Sequence, residues 1–94
     1  MSSPQPVRTT VTIVNRRGLH ARASAKFVET AARFQSEVTV TKGDASVSGR
    51  SIMGLMMLAA SLGTSVELAA EGPDAAAAIQ ALVTLIAAKF HEDA

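Results

Sequence analysis

Residues 15–31 read NRRGLHARASAKFVETA, and this stretch contains the change from the first predicted strand to the first predicted helix. Residues 15–18 interrupt the alternating pattern that precedes them, since asparagine and glycine both favour turns. From residue 21 onward, apolar side chains recur at steps of four, four and three, the spacing of an amphipathic helix. They are Ala23, Phe27, Ala31 and Phe34. We therefore expect a helix over residues 21–34 with one face on the core.

Outside this stretch, alternating side chains predict four strands. Residues 7–14 form the first, with one face made by Val7, Thr9, Val11 and Ile13. Residues 37–42 and 45–49 alternate on either side of the turn signal Gly43-Asp44, which predicts a hairpin. Residues 65–70 alternate as the fourth strand.

Two further helices complete the pattern. Ser51 is suited to the N-cap of a helix over residues 51–61, and Gly63 ends it. The apolar side chains of this helix at helical spacing are Leu55, Leu58, Ala59 and Leu62. Gly72-Pro73-Asp74 opens the last helix, and its buried stripe is expected to be Ile79, Leu82, Val83, Ile86 and Phe90. The order βαββαβα predicts a two-layer α+β domain, an open-faced sandwich with helices on one face of an antiparallel sheet.

The length and composition indicate a single soluble domain. A chain of 94 residues, 48% of them hydrophobic, is long enough for one compact domain and too short for two. We expect this domain at residues 7–90, with residues 1–6 as a flexible N-terminal tail and residues 91–94 as a flexible C-terminal end. The sequence has no cysteine, no signal-peptide pattern and no apolar run long enough to span a membrane. We therefore expect a cytoplasmic protein without membrane insertion.

The charge is unevenly distributed along the chain. Residues 1–50 contain eight of the nine Lys and Arg against three acidic residues, a net charge of +5, and the remainder has a net charge of −4. A basic face could meet an acidic partner or a phosphate. It could also bind nucleic acid, but such sheets stack bases on aromatic side chains. Because the chain has no Tyr or Trp and its three Phe fall on predicted helix stripes, we expect no nucleic-acid partner.

His20 is the principal candidate for chemistry. It follows Gly18-Leu19 and lies among Arg16, Arg17 and Arg22. Positive neighbours disfavour a second positive charge on the imidazole and favour its neutral, nucleophilic form. A helix beginning at residue 21 places His20 at or next to the N-cap, where free N–H groups and the helix dipole attract an anion. The residues alone thus allow a histidine that carries phosphate, and they also allow a simple capping histidine beside solvated arginines.

Other kinds of site have less support. His20 and Ser24 are four residues apart, but no carboxylate lies between Met1 and Lys26 to orient a hydrolase histidine. A partner from a distant part of the chain stays open at this point. With two histidines and no cysteine we expect no metal, and nothing in the sequence indicates another cofactor. His91, near the end of the chain, is expected to be solvated.

Three segments together resemble the HPr family of histidine-containing phosphocarrier proteins of the bacterial phosphotransferase system. They are NRRGLHARASAKFVETA, SIMGLMML beginning thirty-one positions after the histidine, and EGPDAAAAIQAL, and the resemblance covers residues 7–90. It implies a four-stranded antiparallel sheet with three helices on one face. It also implies that His20 accepts a phosphoryl group from enzyme I, assisted by Arg22, and passes it to an enzyme IIA component. We therefore expect a carrier rather than a stand-alone enzyme, and from the role of a shuttle alone we expect a monomer.

The resemblance implies two further roles near Ser51. In bacteria that have HPr kinase/phosphorylase, the serine of the SIMG segment is that enzyme's target, whereas from the sequence alone Ser51 is an N-cap. Ile52, Met53 and Met56 are equally compatible with a core or an interface. By resemblance they form the docking surface for enzyme I and IIA, with basic side chains around them: Arg17, Arg22 and Arg50.

Two departures from the family pattern leave the branch of the system open. Ala23 stands where the family often has proline, and Met57-Leu58 stands where it often has SL. Alanine in a first helical turn is tolerated and supplies an N–H that proline lacks. The expected chemistry is therefore unaffected, but the sequence does not separate sugar uptake from a nitrogen-related or other regulatory branch.

Overall fold

The computed structural model describes residues 5–92 and confirms the order βαββαβα. The strands are β1 (Val7–Thr12), β2 (Glu37–Lys42), β3 (Ala45–Ser48) and β4 (Ser65–Glu71). The helices are α1 (Ala21–Ala31), α2 (Ile52–Met57) and α3 (Ala75–Ala87). After α3 comes a short 3-10 helix, Lys89–His91, which we call the C-terminal turn.

The four strands form one antiparallel sheet in the order β1-β4-β2-β3. Inward and outward side chains alternate along each strand, because successive residues point to opposite faces. The inner face buries Val38, Val40 and Leu68, and Val40 lies opposite Leu68 in the sheet register. The expected two-layer α+β open-faced sandwich is confirmed.

The helices cover this inner face with their apolar stripes. Phe27 of α1, Leu55 of α2 and Leu82 of α3 are almost completely buried in the same core. Burying each of these side chains contributes about 1.5 to 3 kcal/mol. Since α1 packs against both α2 and α3, its N-terminal end has a fixed position between its neighbours.

Two helices are shorter than the sequence predicts. α1 ends at Ala31, since the N–H groups of Arg33 and Phe34 bond carbonyls three residues back, in the tighter 3-10 pattern. α2 ends at Met57, and Ala59 has a positive φ of 52°. Ala59 and Leu62 continue the helical spacing in the sequence, but both lie past the last helical turn and are exposed.

The end of the chain also differs from its prediction. Phe90 is fully buried as expected, but it lies in the C-terminal turn and not on α3. His91 belongs to the same turn, and Glu92 makes side-chain hydrogen bonds to the body of the protein. Of the predicted flexible C-terminal end, residues 91 and 92 thus make defined contacts with the rest of the protein, and residues 93–94 lie outside the described part.

At the other end, Gln5 and Pro6 precede β1 without regular structure, and residues 1–4 of the expected tail lie outside the described range. Within residues 5–92, every helix is too short to span a bilayer.

Candidate functional site

His20 lies at the N-terminal end of α1, which confirms its predicted position. It is the N-cap, with an extended backbone, and its Nδ1 accepts a hydrogen bond from the backbone N–H of Arg22 at 3.3 Å. The His20 carbonyl accepts the N–H of Ser24 at 2.8 Å and so begins the helical ladder. The imidazole therefore lies beside the free N–H groups of the first turn, where the helix dipole favours negative charge.

A tight loop fixes His20 in this position. Gly18 has a φ of 65°, and a Cβ there would lie 2.3 Å from the carbonyl oxygen of Ala60. Leu19 donates its N–H to the same oxygen at 2.9 Å, and Ser24 Oγ donates to the Leu19 carbonyl at 3.1 Å. Both the positive φ and the close approach require glycine at position 18. Because the Ser24 hydroxyl binds Leu19, it does not form a nucleophile pair with His20.

The other ring nitrogen of His20 is held by a carboxylate from the end of the chain. His20 Nε2 lies 2.7 Å from Glu92 Oε2, and the two side chains are 23% and 10% exposed. This short contact joins groups 72 residues apart. Glu92 is therefore the carboxylate that orients His20. The first 26 residues contain no acidic side chain, and the partner comes from the other end of the chain.

Asn15 braces this carboxylate from inside the protein. Its Nδ2 donates to both oxygens of Glu92, at 3.2 and 3.0 Å, and to the Gly18 carbonyl at 2.9 Å. Asn15 is completely buried, and its Oδ1 has no hydrogen-bond partner among residues 5–92. The amide is thus oriented with its NH₂ group towards these oxygens, and it fixes the Glu92 carboxylate.

The environment of Glu92 keeps it ionised. Burial alone would raise the pKa of its carboxyl, but the hydrogen bonds from His20 and Asn15 and the positive charges of His20 and Arg17 outweigh burial and lower the pKa. An ionised carboxylate can only accept hydrogen bonds. Glu92 therefore presents an acceptor to the imidazole at neutral pH.

The two contacts of the imidazole together assign its proton. Nε2 faces an acceptor, the Glu92 carboxylate, and Nδ1 faces a donor, the Arg22 N–H. A neutral imidazole has one donor and one acceptor nitrogen, so the proton belongs on Nε2 and the unprotonated lone pair on Nδ1. The unprotonated nitrogen is thus the one at the helix N-terminus.

Three arginines surround this end of α1, as the sequence indicated. Arg16, Arg17 and Arg22 are exposed, and Arg17 is close enough for its charge to act on Glu92. Within residues 5–92, the guanidinium groups of Arg17 and Arg22 form no ion pair or hydrogen bond. They are therefore available to an anion that approaches from solvent.

Ser51 is the N-cap of α2, as predicted. Its Oγ accepts the N–H of Gly54 at 2.9 Å, and the residue is partly exposed. The neighbouring Ile52, Met53 and Met56 are exposed, with Met53 at 69%. The choice between core and interface, open at the sequence level, is thus decided in favour of a surface position.

Other large apolar side chains are also exposed, although the sequence patterns did not single them out: Val14, Met57 and Leu62. Hydrogen bonds that join Ile13 to Gly63 and Thr64 bring Val14 close to the segment that follows α2. We define the apolar patch as Val14, Ile52, Met53, Met56, Met57 and Leu62. The hydrogen bond from Leu19 to Ala60 places the segment after α2 beside the loop that carries His20.

The Arg50 side chain lies at the opposite end of α1 from His20. Its Nη2 donates to the Phe34 carbonyl at 3.0 Å, just beyond the C-terminal end of α1. α1 has eleven residues, so this end is about 16 Å from the N-terminus that carries His20. Arg50 therefore contacts the far end of α1, and its place in the docking surface stays a prediction.

Sequence reasoning missed two members of the site, Asn15 and Glu92. Asn15 was interpreted only as part of a turn, and Glu92 as part of a free end. The only sequence signal for Asn15 is a polar residue between an apolar strand and a tight turn. No local signal marks Glu92, since its partner is distant along the chain.

Comparisons with known proteins agree on one family. The family model described as "PTS HPr component phosphorylation site" matches residues 7–88. The phosphocarrier protein HPr of Neisseria meningitidis is 55% identical over 86 residues, which are 92% of this chain and 97% of the relative.

Two solved structures from Thermoanaerobacter tengcongensis are similar in fold and sequence. The crystal structure of HPr-C-His has a TM-score of 0.89 and 48% identity, covering 94% of this chain and 99% of its own. The crystal structure of an HPr dimer has a TM-score of 0.74 and 50% identity, covering 89% and 97%.

Proposed function

The chain belongs to the HPr family of phosphocarrier proteins of the phosphotransferase system, and from this premise we propose that His20 is its phosphoryl acceptor. It takes the group from phosphorylated enzyme I and passes it to an enzyme IIA component. The observation that supports this assignment most directly is the position of His20 Nδ1 at the N-terminus of α1. An unprotonated ring nitrogen and a site for anionic oxygens meet at that point.

In the acceptance step, the Nδ1 lone pair attacks phosphorus in line with the bond to the donor. The new N–P bond forms as the bond between phosphorus and the donor atom breaks, and the electron pair of the broken bond stays with the donor. The proton on Nε2 remains on the ring. Transfer to the IIA component is the same displacement in the opposite sense, with Nδ1 as the leaving atom.

The N-terminus of α1 stabilises the phosphoryl group once it is attached. The Arg22 N–H, which binds Nδ1 in the free protein, becomes a donor to a phosphoryl oxygen, together with the other free N–H groups of the first turn. The helix dipole adds roughly half a positive charge at this end. The guanidinium groups of Arg22 and Arg17 bind further oxygens in a bidentate manner.

A solvent-facing helix end suits a carrier better than a closed pocket. The carrier must release the phosphoryl group as readily as it accepts it, so its own stabilisation of the bound state has to remain moderate. The His20 side chain is partly exposed, and a partner can reach it and supply the remaining catalytic groups.

The apolar patch is the proposed docking surface for both partners. Its methionines are flexible and polarizable, which suits a surface that must fit different proteins in turn. Arg17 and Arg22 add positive charge near its end and favour partners with an acidic face. Arg50 precedes Ser51 in the chain, and this is the only observation that supports including it in the docking surface.

We further propose that Ser51 is a regulatory site in a cell that contains HPr kinase/phosphorylase. A phosphate there would carry a charge of about −1.5 to −2 at the start of α2, next to the apolar patch. It would disfavour an acidic partner more than it disturbs the fold. Incubation with purified kinase and ATP, with Ser51→Ala as the control, tests this; an unmodified Ser51 would count against it.

The carrier role is tested with phosphoenolpyruvate, magnesium and cognate enzyme I, followed by intact mass measurement. We expect one acid-labile, base-stable phosphoryl group on the wild type and on His91→Ala, and none on His20→Ala. His91 is the matched control because it is the other histidine and is exposed. Labelling that persists in His20→Ala, or a folded wild type that takes no phosphoryl group, would contradict the proposal.

A further inference from the structure

We infer that Glu92 is a positioning residue for phosphotransfer, delivered to His20 by the C-terminal turn. This inference rests on the proposed function and adds to it a role for the end of the chain. Glu92 holds the proton on Nε2 and thereby keeps the lone pair on the nitrogen that faces the helix N-terminus.

The backbone of the C-terminal turn, which leads to Glu92, adopts a left-handed conformation at three consecutive residues. Lys89, Phe90 and His91 have φ values of 57°, 54° and 59°. Left-handed backbone costs roughly 1 to 2 kcal/mol for each residue with a Cβ, and runs of it are rare. Such a run persists only where the surrounding structure fixes it.

Two interactions fix the turn against the core. The Phe90 ring is completely buried among the residues of the hydrophobic core. The Phe90 carbonyl accepts a hydrogen bond from Lys26 Nζ at 2.6 Å, and Lys26 lies on α1, the helix that His20 caps. The turn is therefore anchored to the helix whose N-terminus it serves, and the chain leaves it in the direction of the imidazole.

Asn15 completes the support. It reaches Glu92 with two contacts and is itself buried in the loop that leads to His20. A carboxylate that orients a histidine is commonly held by a further hydrogen bond of this kind. The same buried amide also donates to the Gly18 carbonyl, so the loop and the chain end are fixed together.

The carboxylate has a chemical effect during transfer as well as an orienting one. When Nδ1 bonds to phosphorus while Nε2 keeps its proton, the ring gains positive charge. The charge-assisted hydrogen bond from Nε2 to Glu92 strengthens as that charge develops. Glu92 contacts the nitrogen opposite to Nδ1, so the ring lies between the carboxylate and the anionic phosphoryl oxygens.

The test compares Glu92→Gln with the matched control Glu67→Gln. Glu67 also interacts with a basic side chain, Arg8, but that pair lies in β1 and β4 and is exposed. The ¹⁵N shifts of the His20 ring are measured without phosphate at a pH where the imidazole is neutral. The rate of phosphorylation by enzyme I is then measured as a function of carrier concentration.

We expect the wild type and Glu67→Gln to show one tautomer, with the proton on Nε2, and equal rates. Glu92→Gln should show a mixture of tautomers, since its amide can donate as well as accept. Its maximal rate should fall roughly tenfold, the lower end of the effect of removing such a carboxylate at metal-bound histidines. The concentration that gives half the maximal rate should stay unchanged, since the docking surface is intact.

Three outcomes would overturn the inference: an unchanged tautomer in Glu92→Gln, an unchanged maximal rate, or a loss confined to weaker docking. A wild type that accepts no phosphoryl group contradicts the proposed function instead. In that case the ring shifts, which need no enzyme I, still decide whether Glu92 sets the position of the proton.

Discussion

Helices α1 and α2 are capped in the same way at their N-termini, but the groups that surround the two capping side chains differ. Each helix starts with a polar side chain that accepts a backbone N–H, His20 from Arg22 and Ser51 from Gly54. The His20 cap is braced on its other side by Glu92, whereas the Ser51 hydroxyl lies beside exposed apolar side chains. The α1 cap is thus preorganised by contacts between distant parts of the chain. The α2 cap is held by residues within three positions of it, since Ser51 accepts from Gly54 and donates its own N–H to the Ser48 carbonyl.

This difference indicates how one geometry can support two kinds of chemistry. A braced imidazole has a defined proton and a defined lone pair, as a nucleophile requires. The Ser51 hydroxyl accepts one backbone N–H at the start of a helix of six residues, and its residue is partly exposed, so another enzyme can reach and modify it.

Gly18→Ala should disrupt the α1 cap most strongly. The new Cβ would meet the Ala60 carbonyl at 2.3 Å at a positive φ, so the loop under His20 must shift. We expect a loss of about 3 kcal/mol in the free energy of unfolding, measured with urea. Gly43→Ala is the control, since it has a φ of 58° but no neighbour within 4 Å. It should lose only about 1 kcal/mol, and equal losses would refute the role assigned to the close approach.

Arg22→Ala should slow phosphorylation of His20 about tenfold, which corresponds to about 1.4 kcal/mol in the barrier. The effect is moderate because the guanidinium is exposed and screened by solvent. Arg33→Ala is the control because it also removes one exposed positive charge, but beyond the other end of α1, where Arg33 pairs with Glu29. Rapid-quench measurements with enzyme I would show the difference, and an equal effect of both changes would mean that only net charge matters.

Ser51→Ala should separate the two caps. It removes the acceptor of the Gly54 N–H and should cost about 1 kcal/mol of stability, the usual cost of losing an N-cap. Phosphorylation of His20 should continue at the wild-type rate. Urea unfolding and the enzyme I assay measure the two quantities on one sample, and a large loss of phosphotransfer would show that the caps are not independent.

The free energy of unfolding should depend on pH through the α1 cap, where Glu92 titrates, and not through the α2 cap. We expect this effect to be smaller than those of the substitutions above. The folded protein lowers the pKa of Glu92 below its ordinary value of 4.5. The stabilisation from its carboxylate is therefore complete above that value and is lost as the pH falls through the lower, folded pKa. The difference in stability between wild type and Glu92→Gln should shrink as the pH falls below about 4.5.

Ser51→Ala should leave this pH dependence unchanged, because the hydroxyl does not titrate. Part of the acid sensitivity should remain in Glu92→Gln, since hydrogen bonds from Ser36 and Gln35 also lower the pKa of Asp74. Urea unfolding between pH 3 and 7 tests both statements. A gap between wild type and Glu92→Gln that widens on acidification would contradict the assigned direction.

The periodic parts of the fold were predictable from the sequence. Alternation along residues 37–42 and the stripe through Ala23 and Phe27 reflect burial on one face, and the structure buries Val38, Val40 and both stripe residues. The N-caps were predictable as well, because capping depends on residues within three positions of each other.

The ends of the helices and the contacts of His20 with Glu92 and Asn15 were not predictable from periodicity. Ala59 and Leu62 continue the helical spacing, but the chain leaves the helix through 3-10 bonds that depend on packing. Glu92 reaches His20 only because Phe90 is buried and turns the chain back. Contacts of this kind arise from the tertiary fold and leave no periodic signal.

The phosphorylated protein should carry its phosphoryl group on His20 Nδ1, at the N-terminus of α1. ³¹P and ¹⁵N NMR of the phosphorylated protein with ¹⁵N-labelled histidine measures this position. We expect a single phosphorus bonded to Nδ1 of His20, with the proton retained on Nε2. Phosphorus on Nε2, on His91 or on an oxygen would contradict it.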